Sequence, residues 1–150
     1  KVIPISDRDN IKYRVLSTLV LNFSGLLFLF VLSLFMLPLT FNVVIAGLIF
    51  SISATLFFAY VDFIINIYRP LLDWSHPTAA IKNNMNVTIS LGIRAVIGVV
   101  VYGLYRIIPS FFNNYDIILI YAGLVFLLLF FLSRYLLYNY FIKEFSRISL

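Results

Sequence analysis

VLSTLVLNFSGLLFLFVLSLFML, residues 15–37, is apolar for longer than a helix of a soluble core needs to be. About 20 apolar residues, at 1.5 Å rise per residue, cross a hydrocarbon layer of ~30 Å, and this run is long enough to do so. Three further runs of the same kind follow at residues 43–65, 87–108 and 117–141. Composition agrees: 63% of the 150 residues are hydrophobic, 11% are charged and 16 are Phe, more apolar surface than a soluble fold of this size can cover. The expected architecture is an all-α polytopic membrane protein: one transmembrane domain of four helices, with a short cytoplasmic amphipathic helix in the middle loop, residues 66–86.

Several function classes fall away. The net charge of +5 is spread over the ends of the spans and is not gathered into a basic stripe with interleaved aromatics, so nucleic acid is not an expected partner. The chain has no Cys and one His, His76, which leaves no thiolate or multi-histidine metal site. No paired carboxylates, Ser/His/Asp arrangement or phosphate-binding Gly-Lys loop occurs, so no catalytic, cofactor-binding or metal residue is expected in this chain. It starts at Lys1 without a recognisable cleavable signal, and a segment of a longer polypeptide is expected.

Basic residues set the expected orientation, because Lys and Arg collect on the cytoplasmic side. Lys1, Arg8, Lys12 and Arg14 precede the first span, Arg69 and Lys82 lie in the middle connection, and Lys143 and Arg147 lie in the tail. The connections 38–42 and 109–116 carry none. Both termini and the middle loop are therefore expected in the cytoplasm of a multi-pass plasma-membrane protein. Pro38 and Pro109 each follow an apolar run and should end the helix before them. Tyr135, Tyr138 and Tyr140, beside Arg134 and Lys143, have the makings of an interfacial aromatic belt with snorkelling cations.

Two polar segments are candidates for contact with a partner. At the N-terminus, Lys1-Val2-Ile3-Pro4-Ile5-Ser6 leads into an amphipathic turn that Ser6 or Asp7 would cap. In the middle loop, an extended Arg69-Pro70-Leu71-Leu72-Asp73-Trp74 precedes a helix capped by Ser75 or His76, with Pro77 in its first turn and Lys82 near its end. Without a partner, the first is a charged membrane entry and the second a helix lying at the interface, anchored by Trp74.

Together these segments resemble permease subunits of the ABC-2 type exporters. The likeness rests on Ile3-Pro4-Ile5-Ser6 with Arg14 eight positions on, and on the longer stretch from Arg69 to Asn86. In that family the proline-serine element follows earlier spans, so the chain is similar to the C-terminal four-helix portion of such a permease. The resemblance implies a separate cytoplasmic ATPase, carrying ATP and Mg, that pushes on the permease. Its docking would fall on Pro4, Ile5, Ser6 and Arg14, and we add Asp73, Trp74, Pro77 and Lys82 as a second contact. Other permease helices, or a second permease copy, and the bilayer complete the expected partners.

Within the spans, a charge at bilayer depth costs at least ~2.5 kcal/mol unless it is paired or hydrated. Asp62 and Arg94 are therefore expected to pair across neighbouring helices, as a structural clamp or as the lining of a wet vestibule. Small residues at Gly47, Ser51 and Thr55, and at Gly92, Ala95 and Gly98, predict close helix packing. Asn22, Ser24, Asn66 and Asn139 are candidates for hydrogen bonds between helices, and Arg106 and Asp116 for an external bridge. The expected function is an ATP-driven exporter permease that couples a separate ATPase to translocation. The alternative is a small non-transporting scaffold, immunity or assembly protein that docks a partner through the same loop.

Overall fold

A computed structural model describes residues 6–68 and 85–148. Pro4, Ile5, Asp73, Trp74, Pro77 and Lys82, and with them the expected middle-loop helix, lie outside the described residues. Most of the described residues are helical, and four helices are long and apolar enough to cross a membrane. This is the fold of a multi-pass membrane protein.

The first helix, α1 (Asp7–Met36), starts eight residues before its apolar run, because the polar N-terminal turn continues into the span without a break. Ser6 caps it from an extended conformation (φ −64°, ψ 146°): its Oγ accepts from the Asp9 amide at 3.2 Å and donates to Asp9 Oδ2 at 2.5 Å. Asp7 and Asp9 lie in the first turn, where carboxylates meet the positive end of the helix dipole. The helix stops at Leu37 (φ −120°, ψ 138°), which Pro38 forces out of the helical region.

After the turn comes α2 (Phe41–Tyr68), and after the middle connection α3 (Met85–Ile107). Ile108, ahead of Pro109, is again non-helical, and a tight 3₁₀ turn over Pro109–Asn113 leads to α4 (Tyr115–Leu136). The Tyr105 and Phe112 rings meet edge-on across that turn at 5.5 Å. A wide π turn, Leu137–Phe141, then joins α4 to the short α5 (Ile142–Ile148). The described helices run up and down four times, so the start of α1, the end of α2, the start of α3 and the α4–α5 junction share one end, which carries Arg8, Lys12, Arg14, Arg134 and Lys143. We call it the basic end.

Helix α2 is the centre of the bundle and packs against α1, α3 and, most extensively, α4. The α2–α4 contact is closest at Gly123. A Cβ there would stand 3.0 Å from Ile49 Cγ2 and 3.2 Å from the Phe50 backbone, so the absence of a side chain permits the approach. Below it, Phe126 is 5.5 to 5.6 Å from the rings of Phe50, Phe57 and Phe58, and Tyr60 meets Phe130 edge-on at 5.2 Å.

The small residues expected to mediate packing do not do so. A Cβ at Gly47, Gly92 or Gly98 would meet nothing within 4 Å. Gly47, Ser51 and Thr55 face a groove between α1 and α2, and α3 touches the bundle through polar side chains nearer the basic end. Arg106 and Asp116 form no ion pair with each other; Arg106 sits in the last turn of α3 and Asp116 in the first turn of α4, each on the dipole-favoured end of its own helix.

Side chains are most completely covered at the basic end, where Ile11, Val15, Tyr60, Ile67, Phe130, Leu137 and Phe145 bring α1, α2, α4 and α5 together. Away from it, large apolar side chains such as Leu21, Phe28, Val99 and Leu128 are exposed on all sides. In water that would be untenable; in a bilayer it is the expected surface.

Candidate functional site

Three polar features interrupt the apolar bundle. The first is a ladder between α2 and α3. Asp62 and Arg94 form a two-pronged ion pair, with Arg94 NH2 at 2.8 Å from Oδ2 and NH1 at 3.3 Å from Oδ1. Ser90 Oγ donates to Asp62 Oδ1 at 2.7 Å, and NH1 of Arg94 also reaches the Ser90 carbonyl at 3.1 Å. The guanidinium lies 4.4 Å from the centre of the Phe58 ring. One turn closer to the basic end, Asn86 Nδ2 donates to Asn66 Oδ1 at 2.9 Å.

The regularity has a simple origin. Phe58, Asp62 and Asn66 repeat every four residues on α2, Asn86, Ser90 and Arg94 do the same on α3, and antiparallel helices set the two rows face to face. By helix rise, Asp62 lies about 9 Å from the α2 end and Arg94 about 13 Å from the α3 start. Arg94 and Asp62 retain 36% and 27% side-chain exposure, beside a cavity of 270 Å³ lined by the ladder residues. The charges are thus compensated by each other, by Ser90 and by an aromatic face. The arrangement clamps two helices and offers no free base or nucleophile.

The second feature is the groove between α1 and α2, about 660 Å³ in volume. Its walls are Leu and Phe, interrupted by Asn22, Gly25 and Ser33 from α1 and Gly47, Ser51 and Thr55 from α2. The Ser33 hydroxyl donates to the Phe30 carbonyl of its own helix at 2.7 Å, and Ser24 likewise to Leu21 at 2.7 Å. The groove carries weak polarity and no charged lining residue. It presents an apolar surface with scattered hydroxyl and amide groups.

At the basic end, the start of α1 is held on both sides. Ile11 and Val15 are 0% and 2% exposed, packed with residues of α2, α4 and α5. Arg14, bonded through Nε to Asn10 Oδ1 at 3.0 Å, lies 5.8 Å from the Phe145 ring of α5. Arg8 lies 5.5 Å from the Tyr138 ring. Of the N-terminal residues singled out in the sequence, Ser6 therefore caps this helix and Arg14 ties it to the C-terminal one.

Of the four polar residues expected to bond between helices, Asn66 does so, Ser24 and Asn139 bond their own helix backbones, and Asn22 lines the groove. Sequence reasoning missed Ser90, Asn86 and Phe58, although their spacing of four or eight residues from Arg94 and Asp62 was there to be read. It also missed Gly123, a lone glycine in a Leu- and Phe-rich run. No family model, characterised protein or solved structure matches the chain.

Proposed function

We propose that the chain is the membrane-embedded part of an ATP-driven exporter permease. In this reading its basic end faces the cytoplasm of the cell, its ATPase is a separate subunit carrying ATP and Mg, and the groove between α1 and α2 is part of the path. The observation that carries the reading is the uneven packing of α1. Its second and third turns are locked into the core at Ile11 and Val15, whereas at Gly25 it borders an open groove with no atom in the place of a side chain. A push on the capped start of α1 enters a continuous 30-residue helix, so it displaces a groove wall instead of dissipating in a loop. The Asp62–Arg94 clamp gives α2 and α3 a shared movement on the other side.

The absence of cysteine makes this testable. Gly25→Cys combined with Gly47→Cys places one thiol on each wall. In membranes holding the chain and its co-purifying ATPase, the rate of disulfide formation is expected to differ severalfold between nucleotide-trapped and ADP states, because the walls move with ATP. If no ATPase co-purifies and the rate ignores nucleotide, the exporter reading fails and the scaffold, immunity or assembly alternative takes its place.

A further inference from the structure

At the basic end, a second groove of about 660 Å³ lies between the first turns of α1 and the junction of α4 and α5. Arg8, Asp9 and Lys12 form one wall. The other presents Arg134, Tyr135 and Tyr138, with Phe131 at the edge that turns toward the spans. Three cations thus face one carboxylate. That carboxylate, Asp9, already accepts the Ser6 hydroxyl at 2.5 Å, and neither Arg8, Lys12 nor Arg134 forms an ion pair with any described residue. Three like charges held beside a single carboxylate leave the lining with an excess of positive charge, so the groove favours an anion.

Position says which anion. The residues lie where the long apolar helix α4 gives way to Tyr135, Tyr138 and Tyr140, the depth at which aromatic and basic side chains meet lipid headgroups. Phe131 is 55% exposed, and Leu128 and Leu132 beside it are exposed as well, so an apolar wall continues from the cationic groove along the flank of α4. A soluble anion would have no use for that wall. A phospholipid would use both parts, with its phosphate among the cations and an acyl chain along Phe131 and Leu128.

We propose that this groove binds the headgroup of an anionic phospholipid of the leaflet at the basic end, with Lys12 and Arg134 as its principal charge partners and Arg8, stacked on Tyr138, as the third. The site is separate from the groove between α1 and α2, and it stands or falls independently of the exporter reading. An occupant here bridges α1 to the α4–α5 junction and so adds a lipid-dependent link to the locked end of the bundle.

Native mass spectrometry of the purified chain, titrated with phosphatidylglycerol or phosphatidylcholine of equal acyl length, tests this directly. Saturable binding of the anionic lipid is expected, weakened about fivefold by Lys12→Gln or Arg134→Gln and about thirtyfold by the two together. Arg134→Lys, which keeps the charge, should retain most of the affinity, and Arg106→Gln at the opposite end should change nothing. Equal affinity for the two lipids, or an equal loss in Arg106→Gln, overturns the proposal. Displacement of the lipid by inorganic phosphate alone would also overturn it, by assigning the groove to a free anion.

Discussion

One helix, α2, is held on two faces by two kinds of chemistry. Against α4 the contact is dry and close: Gly123 brings the backbones together, and Phe50, Phe57, Phe58 and Phe126 interlock. Against α3 the contact is a row of hydrogen bonds, Asn66 to Asn86 and Asp62 to Ser90 and Arg94. Lipid tails are as apolar as Leu, so burial of apolar surface does not by itself drive helices together. Shape must do it on one side and polarity on the other. The two interfaces should therefore fail in different ways, the first by overfilling and the second by loss of a partner.

Overfilling should have the largest effect. Gly123→Val puts branched carbon atoms into the Phe50 backbone and is expected to destabilise the protein by about 3 kcal/mol in reversible unfolding from mixed micelles. Gly47→Val, facing the open groove, is its control and should change stability by less than about 0.5 kcal/mol. If the two variants behave alike, the distinction between the close and the open side of α2 is lost.

Removing a partner comes next. Asp62→Asn leaves Arg94 with a neutral neighbour at a site neither fully buried nor exposed, so the expected loss is about 2 kcal/mol, between the costs seen for buried and for surface pairs. The sharper measurement is the double-mutant cycle with Arg94→Gln: most of the loss should be recovered in the double variant, because the clamp acts as a unit. Additive losses would mean that the two side chains contribute separately.

The smallest effect belongs to the amide pair. A cycle of Asn66→Ala and Asn86→Ala is expected to return a coupling of about 0.6 kcal/mol, the average for hydrogen bonds between membrane helices. A value near that of the charged pair would shift the weight of the α2–α3 contact toward the basic end.

The four spans and their turns were legible because length and hydropathy are properties of a segment alone, and because Pro38 and Pro109 act on the residue before them. Asp62 and Arg94 were legible as exceptions, since a charge in an apolar run demands an explanation. Packing was less so. Gly47 and the pair Gly92 and Gly98 have the spacing of a helix-contact face, yet they stand open, while Gly123 carries the close approach without any repeat to announce it. Which face of a uniformly apolar helix meets its neighbour is decided by the fit of both surfaces together, and neither sequence states that fit on its own. The long polar start of α1 was foreseen as a turn, but its locking depends on Tyr60 and Ile67 of α2 and on Phe130, Leu137 and Phe145, residues far from it in the sequence.

The π turn at Leu137–Phe141 acts as a frame-shift within a single rod. Gly123, Phe130 and Leu137 are buried at intervals of seven, a spacing that an α-helix keeps on one side to within about 20° per repeat. Continued without interruption, that beat would next fall on Glu144. The widened turn absorbs one additional residue, and the beat falls on Phe145, which is buried. A chain one residue shorter between 137 and 141 would thus run as ordinary helix and still present the same phenylalanine, whereas a full-length chain forced into regular winding would steer a carboxylate into the packed junction with α1 and α2.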